Sequence, residues 1–276
     1  MSRIRQAFEH KKAFIAFLTA GDPSLEMTEE YVLQMEEAGA DLVEIGIPFS
    51  DPIAEGPVIQ EANIRALSAG TTTDKIFEMT ASLRRKTQIP LVFMTYLNPV
   101  HYYGYQAFFE KCRETGVDGI IIPDLPFEEK GEVAEAAASC GVDLISMIAP
   151  TSEQRIREIA SCAAGFLYIV SSMGVTGIRS SITTDLDSIM HLVRETSDIP
   201  AAIGFGINTP DQSEHMAEIA DGVIVGSAIV RIIARYGNEA GPYLQEYVRS
   251  MKAPIACMQT AENCIISPNN PHIQIS

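Results

Sequence analysis

Apolar residues follow two alternating rhythms along the chain. Short β-branched runs end in Gly, Pro, Ser or Asp, and behind each comes a stretch where apolar residues return about every 3.6 positions. The short runs predict strands over 14–19, 42–47, 90–96, 117–122, 142–148, 166–171, 200–205 and 222–225. The longer rhythm predicts helices between them, among others over 28–38, 105–115, 130–140, 153–160 and 185–196. Strands alternating with helices give a parallel sheet, and eight strands is the number that closes a (β/α)8 barrel of the TIM type. The alternative, an open doubly wound sheet, lacks the Gly-x-Gly-x-x-Gly expected after its first strand.

Two connections stand out. The stretch 48–73 is rich in Pro, Gly and acid, and 171–184 is rich in Gly and Ser. Both follow strands, so in a barrel both fall on the C-terminal face, where long loops act as lids or partner contacts. A final helix is predicted over 240–251. One barrel domain over 1–252 is followed by a tail, 253–276, in which Pro268-Asn-Asn-Pro271 breaks any helix.

Composition narrows the partners. The chain has 276 residues, 46% of them apolar and 20% charged, with a net charge of −16. That acidity argues against nucleic acid or an anionic membrane as partner. No apolar run reaches ~18 residues, and the N-terminal residues are polar, so neither a membrane span nor a secretory signal is expected. Five scattered cysteines, Cys112, Cys140, Cys162, Cys257 and Cys264, form no CxxC pair and suit a reducing cytoplasm. The first three read as buried or half-buried helix residues. The five histidines show no metal-ligand spacing.

The candidate chemistry begins at Glu44. In Leu42-Val-Glu-Ile-Gly-Ile-Pro48, period-two alternation puts Val43, Ile45 and Ile47 on one face, toward the helices. Leu42, Glu44 and Gly46 take the other, toward the barrel interior. Apolar surroundings there would raise the Glu44 pKa and fit it for proton transfer, although a structural carboxyl satisfied by neighbours fits the same alternation. Beyond the strand, Ser50-Asp51-Pro52 and Glu55-Gly56-Pro57 are turn chemistry, Pro57 suits the first position of a following helix, and Glu55 would overhang Glu44. Glycine clusters follow the last three strands: Gly174-Val-Thr-Gly177, Gly204-Phe-Gly206 and Gly226-Ser227. Loops there, with backbone N–H groups at a helix start, are where barrels hold phosphate, which lets a strongly acidic chain bind a dianion. Phe17, Met94, Tyr96 and Tyr168 lie on strands and could line a flat apolar pocket, or simply fill the core. No lysine falls in a predicted strand, so no Schiff-base lysine is evident.

Several motifs in one order resemble the tryptophan synthase alpha chain family over about residues 8–252. They are Leu18-Thr-Ala-Gly-Asp-Pro23, Glu44-Ile-Gly-Ile-Pro-Phe-Ser-Asp-Pro52, Gly174-Val-Thr-Gly177, Gly204-Phe-Gly-Ile207 and Gly226-Ser-Ala-Ile-Val230. The resemblance implies a (β/α)8 barrel that cleaves indole-3-glycerol phosphate to indole and glyceraldehyde 3-phosphate, in an αββα assembly whose beta chain carries pyridoxal phosphate. It implies Glu44 as the catalytic glutamate, Tyr168 near the substrate and Phe17 against the indole. Gly177, Gly206, Gly226 and Ser227 would hold the phosphate, and Pro48 and Asp51 would face the beta chain. No cofactor belongs to the alpha chain. The family's second catalytic carboxylate is usually an aspartate, whereas this loop reads Ala54-Glu-Gly-Pro57. Glu55 extends the charge by one methylene, about 1.5 Å, a misplacement of a size that can cost ~10²-fold in rate. A catalytically weak chain kept as activator of a beta partner is the alternative, beside a related phosphate-binding barrel or a lyase without a partner.

Overall fold

Alternation along the strands sorts the apolar side chains into two cores. The computed structural model describes residues 2–170, 185–204 and 206–258. Its strands are β1 (Ala13–Thr19), β2 (Leu42–Gly46), β3 (Leu91–Met94), β4 (Gly119–Ile121), β5 (Asp143–Ile148), β6 (Leu167–Val170), β7 (Ala201–Gly204) and β8 (Gly222–Val225). Each pairs in parallel with the next, and β8 closes on β1. Ile15, Leu42, Val92, Ile121, Ile145, Ala202 and Ile224 fill the barrel. Phe14, Val43, Ile45, Phe93, Leu167, Ile203 and Val225 face outward into the shell under the helices. This is the expected (β/α)8 barrel.

The N-terminal mouth is closed by a short helix, Arg3–Ala7, that the apolar rhythm did not single out. Ile4, Ala7 and Phe8 join the interior core, with the Phe8 ring 5.7 Å from that of Phe166. Aspartates just ahead of three strands tie this end together. Asp41 accepts from Lys11 and Lys252, each at 2.6 Å, and from the Phe14 N–H. Asp118 accepts from Arg3, Arg84 and the Leu91 N–H. Asp221 pairs with Arg194 and accepts from the Ala201 N–H. Lys12, directly before β1, is buried at this same end with its ammonium on the Ala220 carbonyl. The charges of this face serve structure, which leaves the opposite mouth for chemistry.

Four details refine or correct the sequence reading. β3 stops at Met94, and Tyr96 becomes the N-cap of an additional helix, Leu97–Tyr103. Half of the stretch 48–73 is helical, with Pro57 at a helix start as its place in the sequence suggests. That helix, Pro57–Ser68, buries Ile59, Ala62, Asn63 and Ala66 on one face. Cys112 and Cys140 are buried, but Cys162 is exposed, because it caps the helix Glu153–Ser161 where the chain turns outward. The last long helix spans Gly241–Lys252, and packing continues beyond it: a 3-10 turn, Ala253–Ile255, buries Ile255 in the shell core. No helix among the described residues is long and apolar enough to cross a membrane.

Candidate active site

The C-terminal ends of the strands open into a cavity. Its walls bring together Phe17 from β1, Glu44 from β2, Met94 from β3 and Tyr168 from β6. Glu55, Gly206, Gly226 and Ser227 come from the loops beyond. Register explains the inner cluster: Phe17 lies opposite Glu44 across β1–β2, Glu44 opposite Val92 across β2–β3, and Met147 opposite Tyr168 across β5–β6. The alternation argument therefore holds at β2, with Glu44 inward and Val43 and Ile45 outward.

Glycines make room for the two rings. A Cβ on Gly46 would stand 2.7 Å from Cζ of Phe17. One on Gly204 would stand 2.4 Å from the Tyr168 hydroxyl oxygen. Gly204 therefore serves as a hollow for Tyr168 rather than as part of an anion loop. Gly204→Ala is expected to displace Tyr168 and to lower stability by about 1–3 kcal/mol, read by thermal unfolding. Gly206, at φ 86°, occupies the left-handed region that favours glycine. Gly226 is the N-cap of the helix Ser227–Tyr236, and among the described residues no side chain caps the N–H groups of its first turn. Gly177 and the rest of 171–184 lie outside the described residues.

The two carboxyls differ in setting. Glu44 is 0% exposed, and neither of its oxygens has a hydrogen-bond partner among the described residues. Burial pushes its pKa up to about 8. Glu55 is half-buried and accepts a hydrogen bond from Asn63 Nδ2 at 2.7 Å. Burial raises its pKa to about 7, against the pull of the Asn63 amide. Burial, with the Glu44 carboxylate as a lesser cause, raises Tyr168 well above the ordinary phenol range. No Lys, Arg or His stands among the described residues lining the cavity. Its chemistry is that of an apolar slot with two carboxyls that titrate near neutrality, one neutral and one poised to ionise.

Two expected placements change. Tyr96 does not line the cavity. Its ring packs 5.5 Å from Phe49 and its hydroxyl accepts the Ala54 N–H at 3.0 Å, because β3 ends before it and the side chain turns to the neighbouring loop. Pro48 is buried within the chain, so the accessible part of this loop is Ser50, Asp51 and Ile53, the last 73% exposed. Sequence reasoning missed Met147, Ile207, Ile224 and Asn63. Inward alternation on β5 and β8 carried the signal for Met147 and Ile224; nothing local marked Asn63.

Comparison with known proteins places the chain in a family. The family model for the tryptophan synthase alpha chain matches residues 4–260. The tryptophan synthase alpha chain of Lactiplantibacillus plantarum is 50% identical over 253 residues, covering 91% of this chain and 96% of that one. That of Alkaliphilus metalliredigens is 51% identical over 223 residues, covering 81% and 84%. Among solved structures, the tryptophan synthase alpha chain of Legionella pneumophila superposes with a TM-score of 0.83 at 36% identity, covering 92% of this chain and 97% of that one. A chain from the tryptophan synthase α2β2 complex of Pyrococcus furiosus gives 0.82 at 36% identity, covering 88% and 99%. A match this long, on a barrel whose inward strand positions meet in one carboxyl-bearing cavity, leaves one conclusion: the chain belongs to the tryptophan synthase alpha chain family.

Proposed function

We propose that this chain cleaves indole-3-glycerol phosphate to indole and glyceraldehyde 3-phosphate, with Glu44 as the proton-transfer group. The observation that carries the assignment of Glu44 is a fully buried carboxyl with no hydrogen-bond partner among the described residues, on the wall of an apolar cavity that also holds Glu55. The indole C3–glycerol bond breaks poorly because an electron-rich ring is a poor leaving group. Neutral Glu44 gives its proton to C3, and the electron-poor indolenine then accepts the bond electrons. The Glu44 carboxylate takes the proton of the C3′ hydroxyl as the aldehyde forms, so acid and base are restored in one turnover. Ionised Glu55 accepts a hydrogen bond from the ring N–H, where positive charge develops. Phe17 and Met94 bound the ring. Tyr168 packs beside Glu44 and helps hold it and the substrate in register. Gly206, Gly226 and Ser227 form the phosphate seat with the open first turn of Ser227–Tyr236, and Gly177 completes it by family resemblance.

The reaction draws on no cofactor in this chain; pyridoxal phosphate belongs to the beta chain. The P. furiosus α2β2 complex supports a beta chain as partner and an αββα assembly. The C-terminal side offers a surface for it: Asp51 and Ile53 after β2, and Tyr102, 92% exposed, after β3. The family and the free thiols of Cys112, Cys140, Cys162 and Cys257 support a cytoplasmic location. Purified chain, alone and with a beta chain, is expected to release indole from indole-3-glycerol phosphate, faster in the complex. Absence of indole in both assays would overturn the reading. The activator-only alternative is not favoured, since both carboxyls are present and face the cavity.

A further inference from the structure

Glu55 is held by its own neighbours in the chain. The Ala54 N–H donates to Tyr96 Oη at 3.0 Å, and Gln60 Nε2 donates to the Glu55 carbonyl at 2.8 Å. Both contacts fix backbone. Asn63 Nδ2, at 2.7 Å from Glu55 Oε2, reaches the carboxylate itself. An ionised carboxylate only accepts, so the amide must present its nitrogen there. Asn63 is 4% exposed, on the buried face of Pro57–Ser68, and is not among the residues lining the cavity. A buried amide facing a carboxylate is a charge-assisted bond, stronger than a neutral one.

We propose that Asn63 is a positioning residue for the lyase reaction: its amide fixes Glu55 Oε2, favours the ionised carboxyl and leaves Oε1 as the acceptor for the substrate ring N–H. The inference rests on the proposed role of Glu55. It also accounts for glutamate at this position. An aspartate would end about 1.5 Å nearer the backbone, beyond hydrogen-bond reach of an amide that now stands at 2.7 Å. The titratable groups around Glu55 are few. Tyr96 caps the helix after β3, Asp124 after β4 acts on Tyr96, and Glu44 and Tyr168 lie elsewhere on the cavity wall from β2 and β6. No cation lines the cavity among the described residues, so the Asn63 dipole is the main protein support for charge on Glu55.

The test uses the full chain assembled with a beta chain. Wild type, Asn63→Leu, Asn63→Asp and Asn63→Ser are compared for indole-3-glycerol phosphate cleavage between pH 5.5 and 9. Asn63→Leu should move the acidic limb of kcat/KM upward by about one pH unit. At pH 7 it should lower kcat about tenfold with KM within about twofold. Asn63→Asp keeps the side chain's shape and sets a second carboxyl against Glu55. It should shift the limb in the same direction, which keeps the test decisive if the leucine variant does not fold. Asn63→Ser keeps a donor and should move the limb back toward wild type. An active wild type with the acidic limb unmoved in both the leucine and aspartate variants would overturn the role of Asn63. No turnover in wild type would instead overturn the lyase reading on which it rests.

Discussion

Glu44→Gln is expected to lower cleavage of indole-3-glycerol phosphate by ~10³-fold or more while binding of a substrate analogue stays within a few-fold. Glutamine keeps the volume and polarity of the side chain but cannot carry a proton between carbon and oxygen. Strong residual turnover would remove Glu44 from the mechanism. The same variant carries a stability signature. In the folded chain Glu44 holds its proton up to about pH 8, whereas its ordinary pKa is 4.5. Between those values the folded state binds more protons than the unfolded state, so stability falls as pH rises through that window. The loss amounts to on the order of 4 kcal/mol by pH 8. A glutamine at the same place does not titrate and does not suffer it. Relative to wild type, Glu44→Gln should therefore gain stability on going from pH 5 to pH 8 in urea unfolding. An unchanged difference between the two proteins would show that Glu44 is already ionised in the fold.

Glu55 carries the second large effect. Glu55→Gln should cost ~10²–10³-fold in kcat, because a neutral amide cannot favour the charge developing at the ring nitrogen. Glu55→Asp should lower kcat about tenfold, since the shorter side chain loses the Asn63 amide now at 2.7 Å. Rates at pH 7 under saturating substrate check both. An aspartate variant as fast as wild type or faster would mean that the loop relaxes toward its neighbour and that the 2.7 Å contact does not set the position of the charge. Because Glu55 must be ionised and Glu44 neutral, the optimum of kcat/KM should fall between about pH 7 and about pH 8.

Much of this was readable from the chain because a barrel rewards simple periodicity. Period two on Leu42–Gly46 placed Glu44 inside and Val43 and Ile45 outside, and the fold keeps both assignments. Alternating strand and helix rhythms fixed the number of strands and hence the mouth at which the site is built. What escaped depended on contacts distant in sequence or on side-chain size. Tyr96 looked like a pocket residue because it follows an apolar run. The strand ends two residues earlier, and its hydroxyl meets a backbone N–H 42 positions away. Gly204 looked like an anion loop, yet its missing side chain accommodates a tyrosine from the adjacent strand. Asn63 looked like any polar residue on a helix. Only the return of Pro57–Ser68 over its own entry loop brings it to Glu55.

The protonation state of Glu44 is the quantity on which the mechanism turns. Infrared difference spectra between wild type and Glu44→Gln, recorded from pH 5 to pH 9, isolate its carboxyl stretch. The account predicts a neutral carboxyl band at pH 7 that fades with a midpoint near about pH 8. A carboxylate band already complete at pH 6 would contradict it.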